Sequence, residues 1–173
     1  PEKEVEGVVH GDDFTFLGYE EDLLELAEQL KSWYEFKIRG IVGPDERDLK
    51  EITILNRKLV WEDDGIVLTA DGKHVSRSME HFDFDVNSKG LVAPGSKTED
   101  EKIENGVGNL IGHEIKEFRG VAATANYLAQ DRVDIQYSAK ELCRDMSCPT
   151  KASRRALKRL ARYLVAHPVA EIR

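Results

Sequence analysis

Strand signals are concentrated before residue 70 and helix signals after residue 114, and this uneven distribution favours the α+β class of fold. Apolar residues at helical spacing dominate after residue 114. Short apolar runs bounded by turn residues lie before residue 70 and predict β-strands at 5–9, 14–17, 36–38, 52–61 and 66–68. This distribution predicts antiparallel strands with packed helices, followed by a helical region.

Two helices are predicted before residue 87, one between the strands and one after the last of them. The acids at 20–22 suit the positive end of a helix dipole. The residues after them repeat at helical spacing and predict one buried face, formed by Leu23, Leu26, Ala27, Leu30, Trp33 and Tyr34. Thr69 is the expected cap of the second helix. The apolar side of that helix is formed by Val75, Met79 and Phe82.

Three helices are predicted in the C-terminal part. The first spans 114–130, Asp134 is the expected cap of the second, and Pro149 and Thr150 begin the third. Their inward positions are Phe118, Val121, Ala122, Ala125, Leu128, Ile135, Ala139, Leu142, Met146, Leu157, Leu160, Ala161 and Leu164.

Residues 87–113 are rich in Gly, Ser, Lys and Glu and show little periodicity, which predicts a loop or linker. The predicted organisation is therefore a strand-rich region at 1–86, a linker at 87–113 and a helical region at 114–173.

The charge of the chain is unevenly distributed. The net charge is −8, but residues 118–173 carry 11 Lys or Arg against 5 Asp or Glu. The third C-terminal helix has no acid and six basic residues, Lys151, Arg154, Arg155, Lys158, Arg159 and Arg162. Such a face is suited to phosphate contacts. A solvated basic surface is the alternative.

Asp12 and Asp13 lie at a predicted strand–turn–strand junction, where two carboxylates project together. Hard divalent cations such as Mg²⁺ prefer carboxylate oxygens. The alternative is a plain hairpin turn, which is how the pair Asp63 and Asp64 before Gly65 is interpreted.

The surroundings of Asp12 and Asp13 resemble Copia-type retrotransposon reverse transcriptases. Val8-Val9-His10-Gly11-Asp12-Asp13-Phe14 is similar to their aromatic-x-Asp-Asp hairpin, and Tyr34-Glu35-Phe36-Lys37-Ile38-Arg39-Gly40 to their Phe-x-Met-Lys-x-Leu-Gly segment. The C-terminal blocks that resemble the family are Phe118-Arg119-Gly120-Val121, Asn126-Tyr127-Leu128-Ala129, Arg132-Val133-Asp134-Ile135, Leu142-Cys143-Arg144-Asp145-Met146 and Leu157-Lys158-Arg159-Leu160-Ala161-Arg162-Tyr163-Leu164.

The resemblance implies a partial palm followed by a helical thumb-like region. It implies RNA-directed DNA polymerisation from deoxynucleoside triphosphates, with two Mg²⁺ ions, Asp12 and Asp13 as catalytic metal ligands, and Lys37 near the phosphates of the incoming nucleotide. The implied partners are an RNA template, an RNA–DNA or DNA duplex, and the remainder of a Pol polyprotein. The basic helix would grip the duplex.

Two departures from the family affect this expectation. His10 and Gly11 replace the usual aromatic residue and valine before the two aspartates. The third carboxylate and the fingers of the family lie upstream, so this chain alone is expected to be inactive. A non-catalytic nucleic-acid-binding module and a decayed transposon remnant remain alternatives.

The expected location is intracellular, in the cytoplasm or nucleus, with no membrane partner. No apolar run approaches the roughly 18 residues of a membrane helix. Cys143 and Cys148 are expected to be free thiols, as in a reducing compartment.

Overall fold

The computed structural model describes residues 4–95 and 108–172. It shows an α+β fold, with antiparallel sheets and, among the described residues, five α-helices concentrated in the C-terminal half. The chain divides into two compact units, Pro1–Gly40 and Ile41–Arg173. None of the described helices is long and apolar enough to cross a membrane.

The first unit is a hairpin followed by a helix. Strand β1 (Glu6–His10) pairs antiparallel with β2 (Asp13–Leu17), and helix α1 spans Glu20–Trp33. The predicted hairpin and helix are confirmed. No residue of α1 is buried, although a buried face was expected. A hairpin and one helix enclose too little volume to remove a whole helix face from water.

Residues 36–38 do not form the predicted strand. No ladder in the described part of the chain includes them, and a β-strand requires hydrogen bonds to a neighbouring strand. Apolar residues alone therefore did not mark a strand at this position.

The second unit contains a four-stranded antiparallel sheet in the order β3-β4-β5-β6. The strands are β3 (Glu51–Ile54), β4 (Arg57–Glu62), β5 (Gly65–Thr69) and β6 (Glu171–Ile172). Strand structure is therefore confirmed at 52–54 and 57–61, but the prediction of one continuous strand at 52–61 is wrong. Leu55 and Asn56 have φ values of 50° and 65°, and this pair turns the chain into a tight hairpin. The second hairpin turn, at Asp63 and Asp64, is confirmed.

Four helices pack into the core of this unit. They are α2 (Gly72–Glu80), α3 (His113–Leu128), α4 (Gln136–Arg144) and α5 (Lys151–Ala166). The predicted inward positions on α3, α4 and α5 are buried, apart from the partly buried Met146 at the end of α4. Helix α2 packs against both α3 and α5.

Two predicted caps differ from the structure. Asp71, rather than Thr69, caps α2 by accepting a hydrogen bond from the Lys73 amide at 2.9 Å. Asp134 does not cap α4, because its carboxylate is bound to Arg132 and Tyr163. Helix α5 begins after Thr150 as predicted, and Thr150 caps it in a reciprocal capping box with Ser153.

The predicted linker is irregular where it is described, but it is packed against the helices. Leu110 is buried, and its amide donates to the Pro149 carbonyl at 2.8 Å. The Lys151 amide donates to the Gly108 carbonyl at 3.0 Å. Residues 96–107 of this predicted linker lie outside the described residues.

Candidate functional site

The β1–β2 turn presents Asp12 and Asp13 at the tip of the hairpin. His10 pairs with Asp13 across the ladder, and Gly11 between them has a φ of 59°, a conformation that glycine adopts without strain. Both aspartates are exposed. The tight turn thus keeps two neighbouring carboxylates at one solvent-facing point.

Arg39 is the cation that the structure places beside this turn. Its NH1 atom lies 3.8 Å from Asp13 Oδ1, and both side chains are at least half exposed. Lys37 is exposed and lies two residues before Arg39 in a segment without regular structure. The sequence pattern pointed to Lys37 and not to Arg39, because only the folded hairpin shows which cation approaches the carboxylates.

Within residues 4–95 and 108–172, no group of three or more His, Cys, Asp or Glu side chains could hold a metal ion. Asp12 and Asp13 alone would supply only part of a ligand set for Mg²⁺, because this ion takes near-octahedral coordination by oxygen. The pair is chemically suited to Mg²⁺ but leaves most coordination positions to water or to groups outside the described residues.

We expect Mg²⁺ to bind this turn only weakly, with a dissociation constant on the order of millimolar, as in open carboxylate sites. Titration calorimetry with the Asp12→Asn/Asp13→Asn variant should show loss of this binding. Asp63→Asn/Asp64→Asn is the matched control, because it removes the same charges from the turn between β4 and β5. Micromolar affinity, or equal affinity in both variants, would contradict the expected site.

Helix α5 carries the candidate nucleic-acid interface. Its apolar side, with Leu157, Leu160 and Leu164, is buried in the core. That packing leaves four basic side chains exposed, namely Lys151, Arg154, Arg155 and Lys158, and two half-buried, namely Arg159 and Arg162. The helix thus presents a basic surface, as its sequence predicts.

The six basic residues of α5 have different environments. Arg154 NH1 lies 3.2 Å from Glu114 Oε1 in a half-exposed ion pair. Arg159 Nε donates to the Gly95 carbonyl at 3.0 Å, and Arg162 stacks over the Phe84 ring at 5.6 Å. Lys158 also lies over the Phe84 ring, at 5.7 Å.

Lys151 and Arg155 are the exposed cations of α5 whose side chains pair with no group among the described residues. An unpaired surface cation keeps its full charge for a ligand anion, whereas an ion pair must be broken first. The N-terminal half of α5 is therefore the part of the helix most open to phosphates.

A polar network of the buried Arg132 and Tyr163 and the partly exposed Asp134 lies beside the C-terminal end of α5. The Arg132 side chain is 1% exposed, and it donates to Asp134 through Nε at 2.9 Å and NH2 at 2.7 Å. NH2 also donates to the His167 carbonyl at 3.0 Å, and the Tyr163 hydroxyl donates to Asp134 at 2.8 Å. These residues line a cavity of about 280 Å³.

The network changes the pKa values of two of its members. Burial alone would raise the pKa of Asp134, but the hydrogen bonds from Arg132 and Tyr163 outweigh it, and the pKa is lowered. Burial and the bond to Asp134 raise the pKa of Tyr163. This network was not predictable from the sequence, since Arg132 has no local feature that marks it as buried.

The comparison with curated proteins found a partial relative. A stretch of 52 residues is 42% identical to a retrovirus-related Pol polyprotein from transposon RE1 of Arabidopsis thaliana. The match covers 30% of this chain and 4% of that polyprotein. No family model and no solved structure matches the chain. The chain is thus weakly related to a Copia-type retrotransposon Pol polyprotein.

Proposed function

We propose that this chain is a part of an RNA-directed DNA polymerase of the Copia type and that α5 contacts the sugar–phosphate backbone of the template–primer duplex. The observation that carries the proposal is the open basic half of α5, where Lys151 and Arg155 are exposed and unpaired among the described residues. The partial match to a Pol polyprotein supports it.

The physical basis of duplex binding is the release of counterions from the phosphates. Each Lys or Arg that neutralises a phosphate adds affinity that falls with salt and carries no sequence information. The exposed cations on α5 follow one side of a regular helix anchored by its apolar side. Attraction at this face survives the acidic net charge, because screening limits interactions to about 8 Å at physiological salt.

In the parent polymerase, Asp12 and Asp13 would hold the catalytic Mg²⁺ ions together with a carboxylate from the remainder of the Pol polyprotein. Bound Mg²⁺ would stabilise the attacking and leaving oxygens during nucleotidyl transfer from deoxynucleoside triphosphates. Lys37 is the proposed proton donor to the leaving pyrophosphate. Arg39, beside Asp13, would attract the triphosphate to the same point.

A non-catalytic nucleic-acid-binding module is the second candidate. Two observations favour it: His10 and Gly11 replace the aromatic residue and valine of the family, and no third ligand joins Asp12 and Asp13 among the described residues. Both candidates use the same basic face of α5, so they differ only in whether the turn takes part in chemistry.

We expect the isolated chain to bind a labelled RNA–DNA hybrid at low salt but to incorporate no nucleotide in a primer-extension assay with Mg²⁺ or Mn²⁺. Binding without incorporation agrees with both candidates. Adding the upstream part of the same Pol polyprotein then separates them, because incorporation that Asp12→Asn abolishes requires the polymerase. Absence of binding to the hybrid at low salt would contradict both.

A further inference from the structure

The 84–95 segment lies along the C-terminal half of α5. The Phe84 ring stacks against Lys158 and Arg162 at 5.7 and 5.6 Å. The Leu91 amide donates to the Arg162 carbonyl at 3.1 Å. At the end of the segment, the Gly95 carbonyl accepts from Arg159 Nε at 3.0 Å. The contacts of this segment therefore involve Lys158, Arg159 and Arg162.

Gly90 allows the segment to approach the helix closely. A Cβ atom at this position would lie 2.6 Å from Ala166 Cβ and 3.1 Å from the backbone nitrogen and Cα of Ala166. The clash involves the helix itself rather than the flexible end of a side chain. The close fit of the segment on α5 therefore depends on glycine at position 90.

The groups with which this segment binds the cations are uncharged. A ring face and a backbone carbonyl hold Lys158, Arg159 and Arg162, and no carboxylate among the described residues pairs with any of the three. A hydrogen bond from an arginine to a phosphate has charge on both partners and is shorter and stronger than one to a neutral carbonyl. Phosphates are thus better partners for these cations than the 84–95 segment.

We propose that the 84–95 segment is an intramolecular competitor that nucleic acid displaces from the C-terminal half of α5, an inference that rests on the proposed function. In the free chain, the segment covers Arg159 and Arg162 and leaves Lys151 and Arg155 open. A duplex first contacts the open half and then replaces the segment on the covered half. The measured association constant is the intrinsic constant multiplied by the fraction of free molecules in which the segment has left the helix.

The test compares Gly90→Ala with Gly120→Ala by fluorescence anisotropy on a labelled RNA–DNA hybrid. Gly90→Ala loosens the segment, whereas a Cβ at Gly120 meets nothing within 4 Å. We expect Gly90→Ala to bind about tenfold more tightly than the wild type. The salt dependence should stay the same, because the final phosphate contacts are the same. Gly120→Ala should bind like the wild type.

The outcomes separate this inference from the proposed function. If the wild type binds and Gly90→Ala binds equally or more weakly, the competitor is wrong and the proposed function stands. If neither the wild type nor Gly90→Ala binds at low salt, the competitor and the proposed function are both wrong. Hydrogen exchange at the Leu91 amide provides a readout on the wild-type chain: saturating hybrid should remove its protection, and retained protection would overturn the displacement.

Discussion

Replacement of Arg132 by methionine should destabilise the second unit by roughly 3 kcal/mol, the lower end of the range for breaking a buried ion pair. Methionine fills most of the volume but leaves Asp134 without its cation and the His167 carbonyl without its donor. The lower end applies because water still reaches the Asp134 side chain, which is 28% exposed, and because Arg132 NH1 is buried without a hydrogen-bond partner among the described residues. Its removal recovers part of the cost of burying that group. Urea denaturation followed by circular dichroism measures the change.

The pH dependence of stability gives a second readout of the same variant. The pKa of Asp134 is lower in the folded chain than its ordinary value of 3.8. This group therefore adds stability above pH 3.8, and the contribution is lost as the pH falls through the lower folded value. The wild type should lose this contribution below pH 3.8, whereas Arg132→Met should not.

Two further variants test the interpretation of Arg132. Arg132→Lys keeps the charge but loses the two-pronged contact with Asp134, so its loss of stability should be smaller. Arg132→Met/Asp134→Leu removes both charges and should recover part of the stability lost in the single variant. A decrease in the free energy of unfolding of less than about 1 kcal/mol for Arg132→Met would show that the network contributes little to the stability of the fold.

The second large effect concerns the open half of α5. Replacing Lys151 and Arg155 by glutamine should weaken binding to a duplex and reduce the slope of log affinity against log salt by about 1.8 units, since each phosphate contact contributes roughly 0.9. The fold should be preserved, because both side chains are exposed and the buried Leu157 and Leu160 are unchanged. Arg159 and Arg162 are unsuitable for this test, because their substitution would also release the 84–95 segment.

The matched control for this variant is Lys116→Gln/Lys140→Gln. It removes the same charge from exposed positions on α3 and α4. If the overall electrostatic potential of the protein accounts for the weaker duplex binding, both double variants should weaken binding alike. If α5 contacts phosphates, only Lys151→Gln/Arg155→Gln should change the slope.

Local sequence patterns predicted the elements of this fold that are defined by local contacts. The hairpin around Gly11 and the buried positions on α3 and α5 follow from turn chemistry and helical spacing. Strand β6 was not predicted, because two residues near the end of the chain form a strand only through pairing with Leu68 and Thr69. The tight turn at Leu55 and Asn56 was missed, since apolar residues on both sides continue the strand pattern across it.

The residues of the candidate site were predictable from the sequence, but which of them are exposed to a ligand was not. The sequence identified all six basic residues of α5, yet only tertiary contacts distinguish the open Arg155 from the covered Arg159 and Arg162. Arg132 illustrates the same limit. It is as polar as the residues of the basic face, but its partners Asp134 and Tyr163 keep it buried.

The most direct test of duplex binding by α5 is fluorescence anisotropy of a labelled RNA–DNA hybrid from low to moderate salt, with the wild type, Lys151→Gln/Arg155→Gln and Lys116→Gln/Lys140→Gln. For the wild type, the logarithm of the association constant should fall linearly with the logarithm of the salt concentration. Only the α5 variant should have a flatter slope. Several unrelated hybrid sequences should bind equally, because phosphate contacts do not distinguish bases. Equal slopes for all three proteins, or no binding at low salt, would contradict a phosphate-binding role for α5.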